Sequence, residues 1–79
     1  MSKTKIIEHD HRHVTIRFTD LISDNEITMN IWAPVPPENG CSYVRYDGDR
    51  QLCARLAPSG VTLMFRDGDR LIDIVRRQY

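Results

Sequence analysis

The 79 residues predict one small all-β domain, spanning 1–79, and three observations carry that reading. Apolar and polar residues alternate with a period of two over most of the chain, which is the rhythm of half-buried strands. The step Asp-Gly occurs twice between alternating runs, in "YDGDRQL" and "RDGDRLI", and marks tight hairpin turns. Three of the four prolines crowd into "PVPPENG", where missing amide donors stop a strand. The expected architecture is a single small antiparallel sheet or barrel of about five to six strands, an N-terminal hairpin followed by a C-terminal meander.

In chain order, Val14, Ile16 and Phe18 lie on one face of a first strand, with His13, Thr15 and Arg17 on the other. After the polar stretch "DLISDNE", Ile27, Met29, Ile31 and Ala33 repeat the pattern, with Thr28, Asn30 and Trp32 opposite. Beyond the proline loop, a two-residue type I′ turn at Asp47-Gly48 makes Tyr46 face Asp49, Arg45 face Arg50, Tyr43 face Leu52 and Ser42 face Cys53. A second turn at Asp67-Gly68 sets Phe65 against Arg70, Leu63 against Ile72 and Val61 against Ile74, and "APSG" joins the two hairpins. The two Asp-Gly-Asp segments are repeated turn chemistry, too short for calcium loops.

Residues 69–79 read two ways. As a strand they partner "VTLMF"; as a short C-terminal helix they are capped by Asp69 and close on Arg76 and Arg77, where cations are favoured. The strand is preferred because the Asp-Gly turn needs a returning partner. The same register puts Cys41 and Cys53 on opposite faces, out of disulfide reach, so both thiols are expected free in a reducing compartment.

Eleven basic residues balance eleven acidic ones, so bulk charge attracts neither nucleic acid nor anionic membrane. Residues 1–40 carry four basic and six acidic groups, residues 41–79 seven and five, and nine of the eleven cations are Arg. With no apolar run of signal-peptide or membrane-spanning length, the expectation is a cytoplasmic chain, complete from Met1.

His9, His11 and His13 stand at every second position and are the metal candidates. On a strand, alternate residues project about 6.8 Å apart, so neighbouring pairs could share an ion. His9 and His13, about 13–14 Å apart, could not both reach it with zinc bonds of about 2 Å. With no other His to complete the set, no metal and no cofactor is assigned, and the plainer reading is a solvated face. Protonation of the three imidazoles on acidification would carry the net charge from zero toward +3.

Nothing in the spacing assembles a nucleophile, a base and an orienting group, and no Gly-rich phosphate loop is present, so the chain is read as non-catalytic. Two surfaces invite contact. One is the outer face of the N-terminal hairpin, where Arg17, His13 and Thr15 neighbour Asn30 and Trp32. The other is a nominally outer face of the meander with Val44, Tyr46, Cys53, Met64, Leu71 and Val75, apolar enough to pair with itself or with another chain. The expected function is a protein-binding module acting as inhibitor, adaptor or regulatory subunit of a larger macromolecular assembly, a profile shared with mobile-element proteins that block host machinery. Its contact residues are Trp32, Arg17, Tyr43, Tyr46 and Arg55. The alternatives are a nucleic-acid-binding barrel using the Arg-rich second half, which zero net charge disfavours, and a His-dependent metal-binding protein.

Overall fold

The computed structural model describes residues 4–20, 22–34 and 40–79, in which every regular element is a strand. In order these are β1 (Lys5–His9), β2 (His13–Thr19), β3 (Glu26–Trp32), β4 (Ser42–Asp47), β5 (Arg50–Ala57), β6 (Gly60–Asp67) and β7 (Arg70–Gln78). They form two antiparallel sheets, β1-β2-β3 and β4-β5-β6-β7. The all-β class and the C-terminal meander stand; the single sheet or barrel of five to six strands is replaced by two sheets of three and four. The C-terminal helix is replaced by β7, which pairs along the whole of β6 and so satisfies that strand's outer amides and carbonyls.

The strand that sequence periodicity missed is β1. Alternation through His9, His11 and His13 suggested one ribbon, but the chain reverses at residues 10–12. Asp10 drives this turn: its Oδ1 accepts from the amides of Arg12 at 2.7 Å and His13 at 3.0 Å, while its own amide donates to the His13 carbonyl. Ile6 then faces Ile16, and an extra residue at Ile7 bulges from the edge.

β2 and β3 pair in the register their alternation predicts, with Thr15 opposite Asn30, Arg17 opposite Thr28 and His13 opposite Trp32. The two sheets bury their inner faces against each other. Val14, Ile16, Phe18 and Ile31 come from the three-stranded sheet, and Leu52, Ala54, Val61, Leu63, Phe65 and Val75 from the four-stranded one. The Phe18 ring is the hub, edge-on to Tyr46 at 5.2 Å and to Phe65 at 4.9 Å.

Polar ties fasten the layers at their margins. Arg50 Nη2 lies 2.9 Å from Asp20 Oδ2, Arg77 Nε donates to the Thr4 carbonyl at 3.1 Å, and Ser42 Oγ donates to the Trp32 carbonyl. Gly60 begins β6 beside the end of β7, where a Cβ would come 2.2 Å from the Arg77 carbonyl oxygen; only glycine fits that approach.

The meander departs from its predicted register in two steps. Each two-residue turn is Gly-Asp, not Asp-Gly: Asp47 pairs with Arg50 and Asp67 with Arg70. Gly48 and Gly68 have φ of +55° and +59°, while Asp49 and Asp69 do not have positive φ, as expected where only the first central residue is left-handed. This displacement alone would keep the same side chains on the same face. A bulge then adds one residue to each outer strand, at Tyr46 in β4 and at Ile72 in β7, and a shift of one reverses the faces beyond it. Val44 therefore opposes Leu52, Tyr43 opposes Cys53, and Leu63 opposes Val75. Val75 is buried, and Ile74, predicted inward, points out.

The cysteines are corrected with the register. Cys41 and Cys53 lie on one face as diagonal neighbours, not on opposite faces, and both thiols are free.

Candidate protein-binding face

The outer face of the four-stranded sheet is built by cross-strand rows. One row runs Tyr43–Cys53–Met64–Ile74 over all four strands. Beside it, toward the Gly-Asp turns, runs Arg45–Gln51–Arg66–Leu71; on the other side run Arg55, Thr62 and Arg76. Tyr43 is 66% exposed and Ile74 44%, so the apolar row opens to solvent on its two outer strands, with Met64 half-buried between them and Leu71 of the next row exposed beside Ile74. Cys53 sits beneath it, buried. Burial pushes the Cys53 thiol up, and the Cys41 thiol nearby adds to the effect. The Cys53 thiol beside the Tyr43 hydroxyl raises that phenol in turn. Both groups are neutral near pH 7, and the row is uncharged along its length.

The flanking arginines are charged and uncommitted. Among the described residues none of Arg45, Arg55, Arg66 and Arg76 pairs with a carboxylate; the arginine ion pairs belong to Arg17 and Arg50. Arg66 donates only to the Asp69 carbonyl at 3.3 Å, and Arg55 Nη2 lies 3.8 Å from Cys41 Sγ. The compensating acids are elsewhere. Asp47, Asp49, Asp67 and Asp69 occupy the meander turns, and Asp20 and Asp24 the β2–β3 turn at the same end. A net charge of zero thus hides a segregated surface.

The five sequence-predicted contact residues do not converge. Tyr43 and Arg55 share the face just described. Trp32 and Arg17 lie on the outer face of the other sheet, where Arg17 Nε is 3.3 Å from Glu26 Oε1 and 3.4 Å from Thr28 Oγ1. Trp32 remains 57% exposed and stacks on the His13 ring at 4.8 Å. Residues 35–39 of the proline-rich stretch that follows it lie outside the described residues. Tyr46 turns inward at its bulge and packs on the core through Phe18 and Phe65, so it is no part of either outer face. Of the apolar patch expected on the meander, Val44 and Val75 also face the core. Tyr43 and Ile74 take their places, and Arg45, Arg66 and Arg76 frame them.

The histidines are dispersed. His9 stacks on Tyr79 at 4.2 Å, His11 lies in the β1–β2 turn, and His13 is buried beside Glu8 and Asp10 at 3.4 and 2.9 Å. Asp10 Oδ2 lies 2.9 Å from His13 Nδ1, and the ring nitrogen has no hydrogen-bond partner among the described residues. The common face that motivated a metal reading is absent. Among the described residues no three His, Cys, Asp or Glu side chains are placed to hold a metal ion, and no helix is long and apolar enough to cross a membrane. Comparison with known proteins finds no match, whether to a family model, a curated protein or a solved structure.

Proposed function

We propose that this chain is a small non-catalytic protein-binding module that lays the outer face of its four-stranded sheet on an acidic surface of a larger macromolecular assembly, as inhibitor, adaptor or regulatory subunit. One observation supports the reading above others: an apolar row crossing all four strands and exposed at Tyr43 and Ile74 on the two outer ones, flanked by four arginines that have no acidic partner among the described residues. Tyr and Arg are the residue types that dominate contact energies when desolvated, and the apolar row supplies area that water leaves readily. A sheet fixes these side chains in a rigid array, so little conformational freedom is lost on docking.

The test is a pull-down by the whole chain from its source cells, with retained proteins identified by mass spectrometry and compared with a Tyr43→Ala/Arg66→Ala variant. Both positions are on the surface of the sheet, so the variant keeps its fold by circular dichroism. Loss of about 2 kcal/mol at a central contact weakens binding about thirtyfold, enough to empty the retained band. Equal retention by both proteins contradicts the reading. Nucleic-acid binding is the second reading, favoured by the same arginines beside an exposed Tyr43. A salt titration against single-stranded oligonucleotides separates the two: affinity falling steeply with salt would favour it, and absence of binding removes it.

A further inference from the structure

At the end of the molecule away from the Gly-Asp turns, the β1–β2 turn, the end of β3, the β5–β6 turn and Tyr79 surround an open cleft of about 820 Å³. Its volume lies within the range, about 300–1,000 Å³, of small-molecule sites. Ala33, Pro34, Leu56, Ala57 and Pro58 line it with apolar surface. His9 and Tyr79, stacked at 4.2 Å and only 8° from parallel, add a flat aromatic wall.

Guanidinium groups outnumber carboxylate side chains in this lining. Asp10 is the one carboxylate side chain of the lining, and it is already committed. Its Oδ1 accepts the Arg12 and His13 amides and its Oδ2 faces the His13 ring. Arg12 and Arg55 contribute two guanidinium groups, neither paired with a carboxylate among the described residues. The Arg12 backbone is fixed on both sides, its amide by Asp10 and its carbonyl by the Ala33 amide at 2.7 Å. A guanidinium carried on a backbone fixed at both ends, beside an apolar, aromatic-walled hollow, suits one ligand chemistry.

We propose that this cleft binds a small organic anion with a flat apolar body, an aromatic carboxylate being the simplest case. The ring lies against the His9–Tyr79 pair and the apolar lining, and the carboxylate takes the planar donor fork of Arg12. The site is separate from the docking face. Arg55 borders both, so Arg12 is the position that isolates the cleft.

The probe is 1-naphthoate, titrated into the ¹⁵N-labelled full chain and followed by amide chemical shifts, with 1-naphthalenemethanol as its neutral counterpart. Saturable shifts are expected at Arg12, Ala33, Leu56, Ala57 and Tyr79. The neutral compound should bind roughly five- to tenfold more weakly, and Arg12→Gln should bring naphthoate down to the neutral compound's level while leaving the latter unchanged. Saturation centred on other residues, equal binding of the two compounds, or naphthoate affinity untouched by Arg12→Gln would each overturn the assignment. A docking face that failed its pull-down would leave these outcomes unaltered.

Discussion

Phe18→Ala is expected to remove a large share of the domain's stability, about 3–5 kcal/mol. The ring is 1% exposed and stands between the sheets, touching Tyr46 and Phe65 edge-on. Removing it deletes the largest of the fully buried side chains and opens a cavity that stiff, β-paired neighbours fill only in part. Phe→Ala at such sites costs about 3–5 kcal/mol. At typical per-residue values a 79-residue domain holds roughly 4–12 kcal/mol in total, and small domains bury the least surface per residue. Urea unfolding followed by circular dichroism should show the midpoint lowered by about 2 M or more. A midpoint close to wild type would mean that the sheets do not share this core.

Asp20→Asn is expected to cost about 3 kcal/mol at pH 7 and to change how stability responds to acid. Asp20 is 2% exposed and joins the β2–β3 turn of one sheet to Arg50 of the other. Burial by itself would push its carboxyl up. The Ser23 hydroxyl at 2.6 Å, the Ile22 amide at 3.3 Å and the Arg50 guanidinium together outweigh that, and the group is held below the ordinary carboxylate value. Arg50 has Asp47 as a second acidic partner, but its Nε is buried without a hydrogen-bond partner, so it tolerates little further loss. The sign follows from the lowered value: the stabilisation is complete above the unfolded-state pKa of about 4 and is lost as pH falls through the lower folded-state value. Wild type should therefore lose stability more steeply than Asp20→Asn below about pH 4, and the two should converge in acid. Parallel urea midpoints from pH 7 down to pH 2.5 would show that Asp20 is not held this way.

The N-terminal hairpin was legible because nothing interrupts its alternation between His13 and Trp32; inward Val14, Ile16, Phe18 and Ile31 follow from period alone. The strand before it was hidden by a coincidence of spacing. His9, His11 and His13 mimic a continuous ribbon, while Asp10, a residue suited to turning the chain, sits among them unread.

The meander turns carried a signal that was passed over. A turn at Asp47-Gly48 opposes Arg45 to Arg50, a like-charge pair, whereas Gly48-Asp49 opposes Asp47 to Arg50 and lets them form an ion pair; in the second hairpin the Gly-Asp turn opposes Asp67 to Arg70. The bulges have no local signature. Tyr46 leaves its row because the Phe18 and Phe65 rings of the core receive it, a tertiary cause absent from any window of sequence. Those two insertions redistribute the contact candidates. Tyr43 and Arg55 stay on a common outer face, Tyr46 moves inside, and Arg45, Arg66, Ile74 and Arg76 join.

The face assignment of the meander supports both the docking surface and the location of its arginines, and nuclear Overhauser contacts across β4 and β5 report on it directly. The structure predicts backbone proton contacts between Val44 and Leu52 and between Tyr43 and Cys53, with Tyr46 ring protons near Phe18. Contacts between Tyr43 and Leu52 and between Ser42 and Cys53 would instead place Tyr43 in the core, and the proposed binding face would not exist.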